Sequence, residues 1–159
     1  MKLKDELKLK RNFSSSGHET LLGIVVTASL LLKFADKFFG RYGITGTQFN
    51  ILKMLREFEK EGLSQQELSQ KLVVTKSNVV GLIDRMERNG YVQRKSHPTD
   101  RRFNLLDLTA KGKKLVDELE VLYFKKINEF MNALPEQQKQ SVITALEEVR
   151  ERIRQDKGD

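Results

Sequence analysis

The chain has 159 residues, 29 Lys+Arg against 22 Asp+Glu for a formal net charge of +7, no cysteine and two histidines. That length fits one domain, or one compact unit with an interaction appendage, and can bury a sizeable core. Without cysteine there are no disulfides, thiolate zinc sites, iron–sulfur ligands or thiol redox switches, and His18 and His97 stand too far apart to suggest a metal site.

No apolar stretch follows the basic start Met1 to Arg11 as a secretory signal would require, so the sequence reads as cytoplasmic. The most apolar run, Leu21 to Leu32, is closed by Lys33, Asp36 and Lys37, short of the ~20 residues that span a bilayer. No membrane association is expected. Residues 64–114 hold 11 Lys+Arg and 5 Asp+Glu, so most of the positive surplus lies mid-chain, whereas residues 115–159 are net acidic. A polyanion would find a concentrated field there, though charge alone leaves open a solvated surface of mixed sign.

Taken in order, Ser14 to Gly17 reads as a hinge after a basic segment, and no structure is assigned to residues 1–17. From about Glu19 to Phe39, apolar residues recur at helical spacing over a wide face (Leu21, Leu22, Val25, Ala28, Leu31, Leu32, Ala35, Phe38). A helix that apolar needs more cover than one small domain supplies, which suggests a second subunit. Thr45 and Gln48 predict a capping box with Ile44 and Phe49 as its staple, opening a helix that ends near Gly62. Ser64 and Glu67 repeat the device for a short helix through Leu72. Thr75 caps the next helix, whose inner face is Val79, Leu82, Ile83 and Met86 and whose stop is Asn89-Gly90. Two short helices joined by a tight turn make a helix-turn-helix.

Tyr91–Lys95 and Phe103–Thr109 read as strands of a β-hairpin with a basic tip, Ser96 to Arg102. Thr109 caps a long helix from Ala110 to about Ala133, and Pro135 begins a last helix striped by Val142, Leu146, Val149 and Ile153.

The order of elements, the run Thr75 to Val92, Asp100-Arg-Arg102 and Leu108-Thr-Ala-Lys-Gly112 together resemble the MarR family of winged helix-turn-helix transcription regulators. The expected fold is mainly α with a small β-hairpin wing: a winged helix-turn-helix with a helical dimerisation domain. The expected division is a basic flexible segment at 1–18, a helical dimerisation region at 19–43 and 110–155, and a DNA-binding domain at 44–109. The resemblance implies a homodimer on a pseudo-palindromic double-stranded operator, acting as a repressor and released by a small aromatic or anionic effector.

With Val79, Ile83 and Met86 inward, Ser77, Gly81, Asp84 and Arg88 turn outward, flanked by Asn78, Val80 and Arg85. Asn78 suits an adenine edge, Ser77 a base or phosphate, Val80 a thymine methyl and Arg85 a groove or phosphate contact. Thr75 and Lys76 at the helix start complete the candidate major-groove set. Each also reads as an ordinary exposed helix residue. Gly81 stands where many members carry a larger polar residue, permitting either close backbone approach or no readout. Asp84 would repel phosphate unless it holds Arg88 one turn on. In the wing, Asp100 organises the hairpin, Arg101 serves phosphate or Asp100, and Arg102 enters the minor groove, as in similar wings. Thr45, Thr47, Gln48, Ser64, Gln65 and Lys71 lie at or near helix starts that could meet phosphate, although capping explains several of them.

Phe34, Phe38, Phe39, Tyr42, Phe49, Tyr123 and Phe124 fall where similar proteins form an effector cleft, with core packing the stronger reading for most. No nucleophile, base and orienter grouping supports an enzyme, and no cofactor is expected. The rival reading is a winged-helix interaction module for an acidic protein partner.

Overall fold

The computed structural model describes residues 2–60, 62–72, 76–96 and 104–156, without the side chains of residues 76–78. Seven helices and three strands are described: α1 (Leu3–Glu6), α2 (Ser16–Gly40), α3 (Gly46–Glu57), β1 (Leu63–Ser64), α4 (Gln65–Leu72), α5 (Lys76–Arg88), β2 (Val92–Ser96), β3 (Asn104–Leu108), α6 (Ala110–Met131) and α7 (Glu136–Gln155). The chain divides into two compact units, residues 1–116 and 117–159, with α6 continuing from one into the other. Among the described residues no helix is long and apolar enough to cross a membrane.

The first unit is built on the expected caps. The Thr45 N–H donates to Gln48 Oε1 at 2.9 Å and the Gln48 N–H donates to Thr45 Oγ1 at 3.2 Å, which closes the capping box of α3. The staple pair Ile44 and Phe49 is buried beside it. Ser64 and Glu67 form the same reciprocal pair at α4, with bonds of 2.9 and 3.2 Å. Gln48 is thereby consumed in the core and is no phosphate ligand, because its oxygen and backbone N–H both serve the cap.

Two expectations change. Ser14 to Gly17 is not a hinge: the Ser15 hydroxyl accepts from the His18 N–H at 3.1 Å, so α2 starts three residues earlier than its apolar stripe. Serine is among the best N-caps, and that local bond outweighs the segment's loop-like composition. The wing is also not a hairpin alone. β1 pairs with β3 through Leu63↔Leu106 and Ser64↔Leu105, giving an antiparallel sheet of order β1-β3-β2. A two-residue strand leaves no alternation to read, and its residues already served as staple and cap.

The core of this unit comprises Phe39, Phe49, Ile51, Leu52, Leu55, Leu68, Val79, Ile83, Met86, Leu106 and Leu108, all nearly inaccessible. Each large apolar side chain so buried contributes about 1.5–3 kcal/mol. Phe39 stacks on Phe49 with ring centroids 4.2 Å apart, and Phe38 meets Phe39 edge-on at 5.1 Å, so these three are core, whereas Phe34 and Tyr123 are half-buried and Tyr42 and Phe124 exposed. Asp36 accepts from the Gly46 N–H at 3.2 Å, placing a carboxylate at the amino end of α3 and tying α2 to it.

The recognition-helix candidate, both wing strands and α6 meet at one backbone junction. Gly90 has φ of +72°, which ends α5, and the Tyr91 N–H returns to the Met86 carbonyl at 2.9 Å. Thr109 Oγ1 donates to the Gly90 carbonyl at 2.6 Å and accepts the Gly112 N–H at 3.0 Å, while the Thr109 N–H donates to the Tyr91 carbonyl at 3.1 Å. A Cβ on Gly112 would lie 2.1 Å from that same Tyr91 oxygen. Leu108-Thr-x-x-Gly112 is therefore a close-approach device. Gly112→Ala is expected to destabilise the unit by about 3 kcal/mol, measured by urea unfolding, because the clash is with backbone and not a mobile side chain.

Candidate nucleic-acid interface

The outward surface of α5 follows from its inner one. Val79, Ile83 and Met86 are fully buried against the core, with Leu82 half-buried beside them. Val80, Gly81, Asp84, Arg85 and Arg88 are consequently exposed, Val80 to 42%. Among the described residues no atom outside its own helix stands within 4 Å of where a Gly81 Cβ would be, so none of them requires glycine there. Among the described residues Arg85 engages no carboxylate. The expected Asp84–Arg88 pair takes another form: Arg88 Nε donates to the Asp84 backbone carbonyl at 3.4 Å.

The Asp84 carboxylate instead receives Arg94 Nη2 of β2 at 2.5 Å, and Arg94 Nη1 binds Glu87. Sequence reasoning left Arg94 unassigned. A signal was present, because the period-two alternation of β2 puts Arg94 on the face of buried Val92 and sends Gln93 and Lys95 to the other. On that other face Lys95 and Gln93 both donate to Asp107, which sits opposite Gln93 in the ladder.

Around this surface the charges are tied to structure. Burial opposes ionisation of Asp107, but the bonds from Lys95, Gln93 and the Leu108 N–H outweigh it and hold its pKa below the usual carboxylate value. Glu59, just beyond α3, is lowered chiefly by its hydrogen bond from Lys113 of α6, and further by Arg56. Lys111 donates to the Asn89 carbonyl at 2.9 Å and lies 4.7 Å from the Tyr91 ring centroid, completing the end of α5. Lys71 is likewise 4.1 Å from the Phe58 ring centroid.

The remaining expected contacts fall outside this description. Thr75, Asp100, Arg101 and Arg102 are outside the described residues, as are the side chains of Lys76, Ser77 and Asn78, though Lys76 opens α5. The described positions of α5 thus form one exposed helical surface, basic on the Arg85 and Arg88 side and acidic but Arg94-bound on the other.

Two outcomes are expected from these local arrangements. Gly81→Ala raises thermal stability by up to about 1 kcal/mol, as for an exposed interior helix glycine, with no clash to offset it. Because Asp107 and Glu59 have lowered pKa values when folded, their contribution is full above the unfolded carboxylate pKa and is lost as pH falls through the folded one. Urea midpoints measured from neutral pH to about pH 3 should decline more gently for Asp107→Asn than for the parent.

Residues 42–102 match the model of the MarR family. The chain is 27% identical to the HTH-type transcriptional repressor YetL of Bacillus subtilis over 142 residues, covering 89% of this chain and 85% of YetL. It is 36% identical to the HTH-type transcriptional regulator PapX of Escherichia coli over 84 residues, 53% of this chain and 51% of PapX. Among solved structures, AbsC, a MarR family transcriptional regulator from Streptomyces coelicolor, shares the fold with a TM-score of 0.79 at 21% identity, over 91% of this chain and 99% of AbsC. The Staphylococcus aureus MepR–DNA complex gives a TM-score of 0.76 at 22% identity, over 82% of this chain and 94% of MepR.

Proposed function

We propose that this chain, whose winged-helix region belongs to the MarR family, is a cytoplasmic transcriptional regulator that binds double-stranded DNA as a homodimer and represses from a pseudo-palindromic operator. It is a regulator and not an enzyme, as are the relatives it matches. The observation that carries the reading is the outward surface of α5, which presents Val80, Gly81, Arg85 and Arg88 within the stretch that holds most of the positive surplus. Its dimensions suit a major groove, which admits one α-helix.

In this reading Ser77, Asn78 and Val80 touch base edges, Thr75, Lys76, Arg85 and Arg88 serve phosphate or base, and Gly81 allows close backbone approach. Asp100 and Arg101 organise the wing and its phosphate contact, and Arg102 enters the minor groove, where a narrow A·T-rich tract concentrates negative potential. Repression is supported by the name of YetL, and DNA as partner by the MepR complex.

Dimerisation is supported by the apolar surface the single chain leaves uncovered. On α2, Leu21, Val25, Leu30 and Leu32 are half or more exposed, and α7 buries none of its residues although Val142, Ile143, Val149 and Ile153 are apolar. A second copy covers such helices at the cost of no polar group. The two recognition helices then sit about 34–36 Å apart, one turn of duplex. Release by a small aromatic or anionic effector completes the reading, with Tyr42 at the exposed edge of the aromatic cluster of α2.

Selection of duplexes from a genomic library, followed by footprinting, tests the function; recovery of no duplex at low salt refutes it. On the recovered operator, Arg102→Ala is expected to weaken binding and reduce the slope of log affinity against log salt by roughly 1 per subunit. Val149→Glu with Ile153→Glu is expected to give monomers in analytical ultracentrifugation and to lose operator affinity in parallel, since each half-site alone binds weakly.

A further inference from the structure

We propose that Arg94 is a positioning residue for DNA recognition: from β2 it clamps Asp84 and Glu87 of α5, fixing the helix against the wing and neutralising the carboxylates beside the groove-facing surface. The inference rests on the DNA-binding reading above.

The geometry is specific. Helical spacing puts Val80, Asp84 and Glu87 along the flank of α5 that faces β2, while Arg85 lies on the opposite flank. The two acids are thus on a surface that must approach a polyanion, with side-chain exposures of 50% and 36%. Left bare, each repels phosphate. One guanidinium answers both, Nη2 reaching Asp84 at 2.5 Å and Nη1 reaching Glu87, a division that suits the two separate nitrogens of its planar fork better than the single nitrogen of a lysine ammonium. Arg94 is itself anchored, because Val92 before it is buried and its own backbone sits opposite Leu106 in the sheet. Partly exposed ion pairs add little to folding stability, so the larger consequence of the clamp is for the field and the angle that α5 offers to DNA. Since both donors face carboxylates, Arg94 supplies no phosphate contact of its own.

The experiment uses the full chain and the operator recovered by library selection. Affinity is measured for the parent, Arg94→Ala, Arg94→Lys and the triple variant Arg94→Ala with Asp84→Asn and Glu87→Gln. Phosphate ethylation interference and thermal melts are recorded for each. Expected are an affinity loss of about ten-fold for Arg94→Ala, an intermediate loss for Arg94→Lys, and recovery in the triple variant to within about three-fold of the parent. The interference pattern keeps every phosphate of the parent. Parent-like affinity of Arg94→Ala, absence of recovery in the triple variant, or loss of one phosphate from the pattern would overturn the proposal, the last by making Arg94 a direct contact. If Arg94→Ala does not fold, Asp84→Asn with Glu87→Gln opens the clamp with the arginine in place. That variant is expected to bind nonspecific duplex more tightly and to discriminate the operator less, and unchanged discrimination overturns the inference. A parent protein that recovers no duplex instead refutes the DNA-binding reading, a result separable from every variant arm.

Discussion

Everything at the interface depends on one backbone crossing, where the first turn of α6 lies against the peptide that leaves α5. Thr109 bonds both sides of that crossing, and Gly112 lets the Tyr91 carbonyl approach to a distance no side chain tolerates. The crossing fixes three directions at once: the end of α5, the root of β2 and the exit of β3. A recognition helix and a wing have a defined mutual angle only if their shared root is rigid. Here the rigidity comes from satisfied backbone groups more than from side-chain bulk, and a buried backbone group left without its partner is costly.

Around that root the electrostatics are arranged by pairing. Of the acids near α5 and the wing, Asp84 and Glu87 go to Arg94 and Asp107 goes to Lys95 and Gln93. Glu59 goes to Lys113 and Arg56. Arg85 is left to face outward. Among the described residues of the basic stretch, Asp84, Glu87 and Asp107 are thus bound by cations of β2, which leaves the Arg85 side of α5 positive. The same bonds lower the pKa values of Glu59 and Asp107 and couple this region to acid conditions.

The two units differ in how they use their apolar residues. Residues 1–116 enclose nearly all of the buried side chains, whereas α7 has the periodicity of an amphipathic helix and buries none of its stripe. An apolar stripe held in water is unfavourable at about 25 cal/mol per Å². That imbalance is the physical argument for a partner copy, and it is independent of any likeness to other proteins.

Caps and stripes were legible in the residues alone. Thr45 with Gln48 and Ser64 with Glu67 announced the starts of α3 and α4, and Val79, Ile83 and Met86 announced the buried side of α5, since all of these are bonds or faces set by successive spacings of three or four residues. The sequence by itself thus determined the order of the helices from α2 onward, the winged helix-turn-helix class and the outward face of α5, but not α1 at Leu3–Glu6. Only the tertiary structure decided that Leu63–Ser64 joins the sheet, that the Asp84 carboxylate pairs with Arg94 and not with Arg88, and that Glu59 meets Lys113, 54 residues away. Short-range geometry is dictated by backbone periodicity, whereas the choice among several cations for one carboxylate is made by which distant elements packing brings within reach.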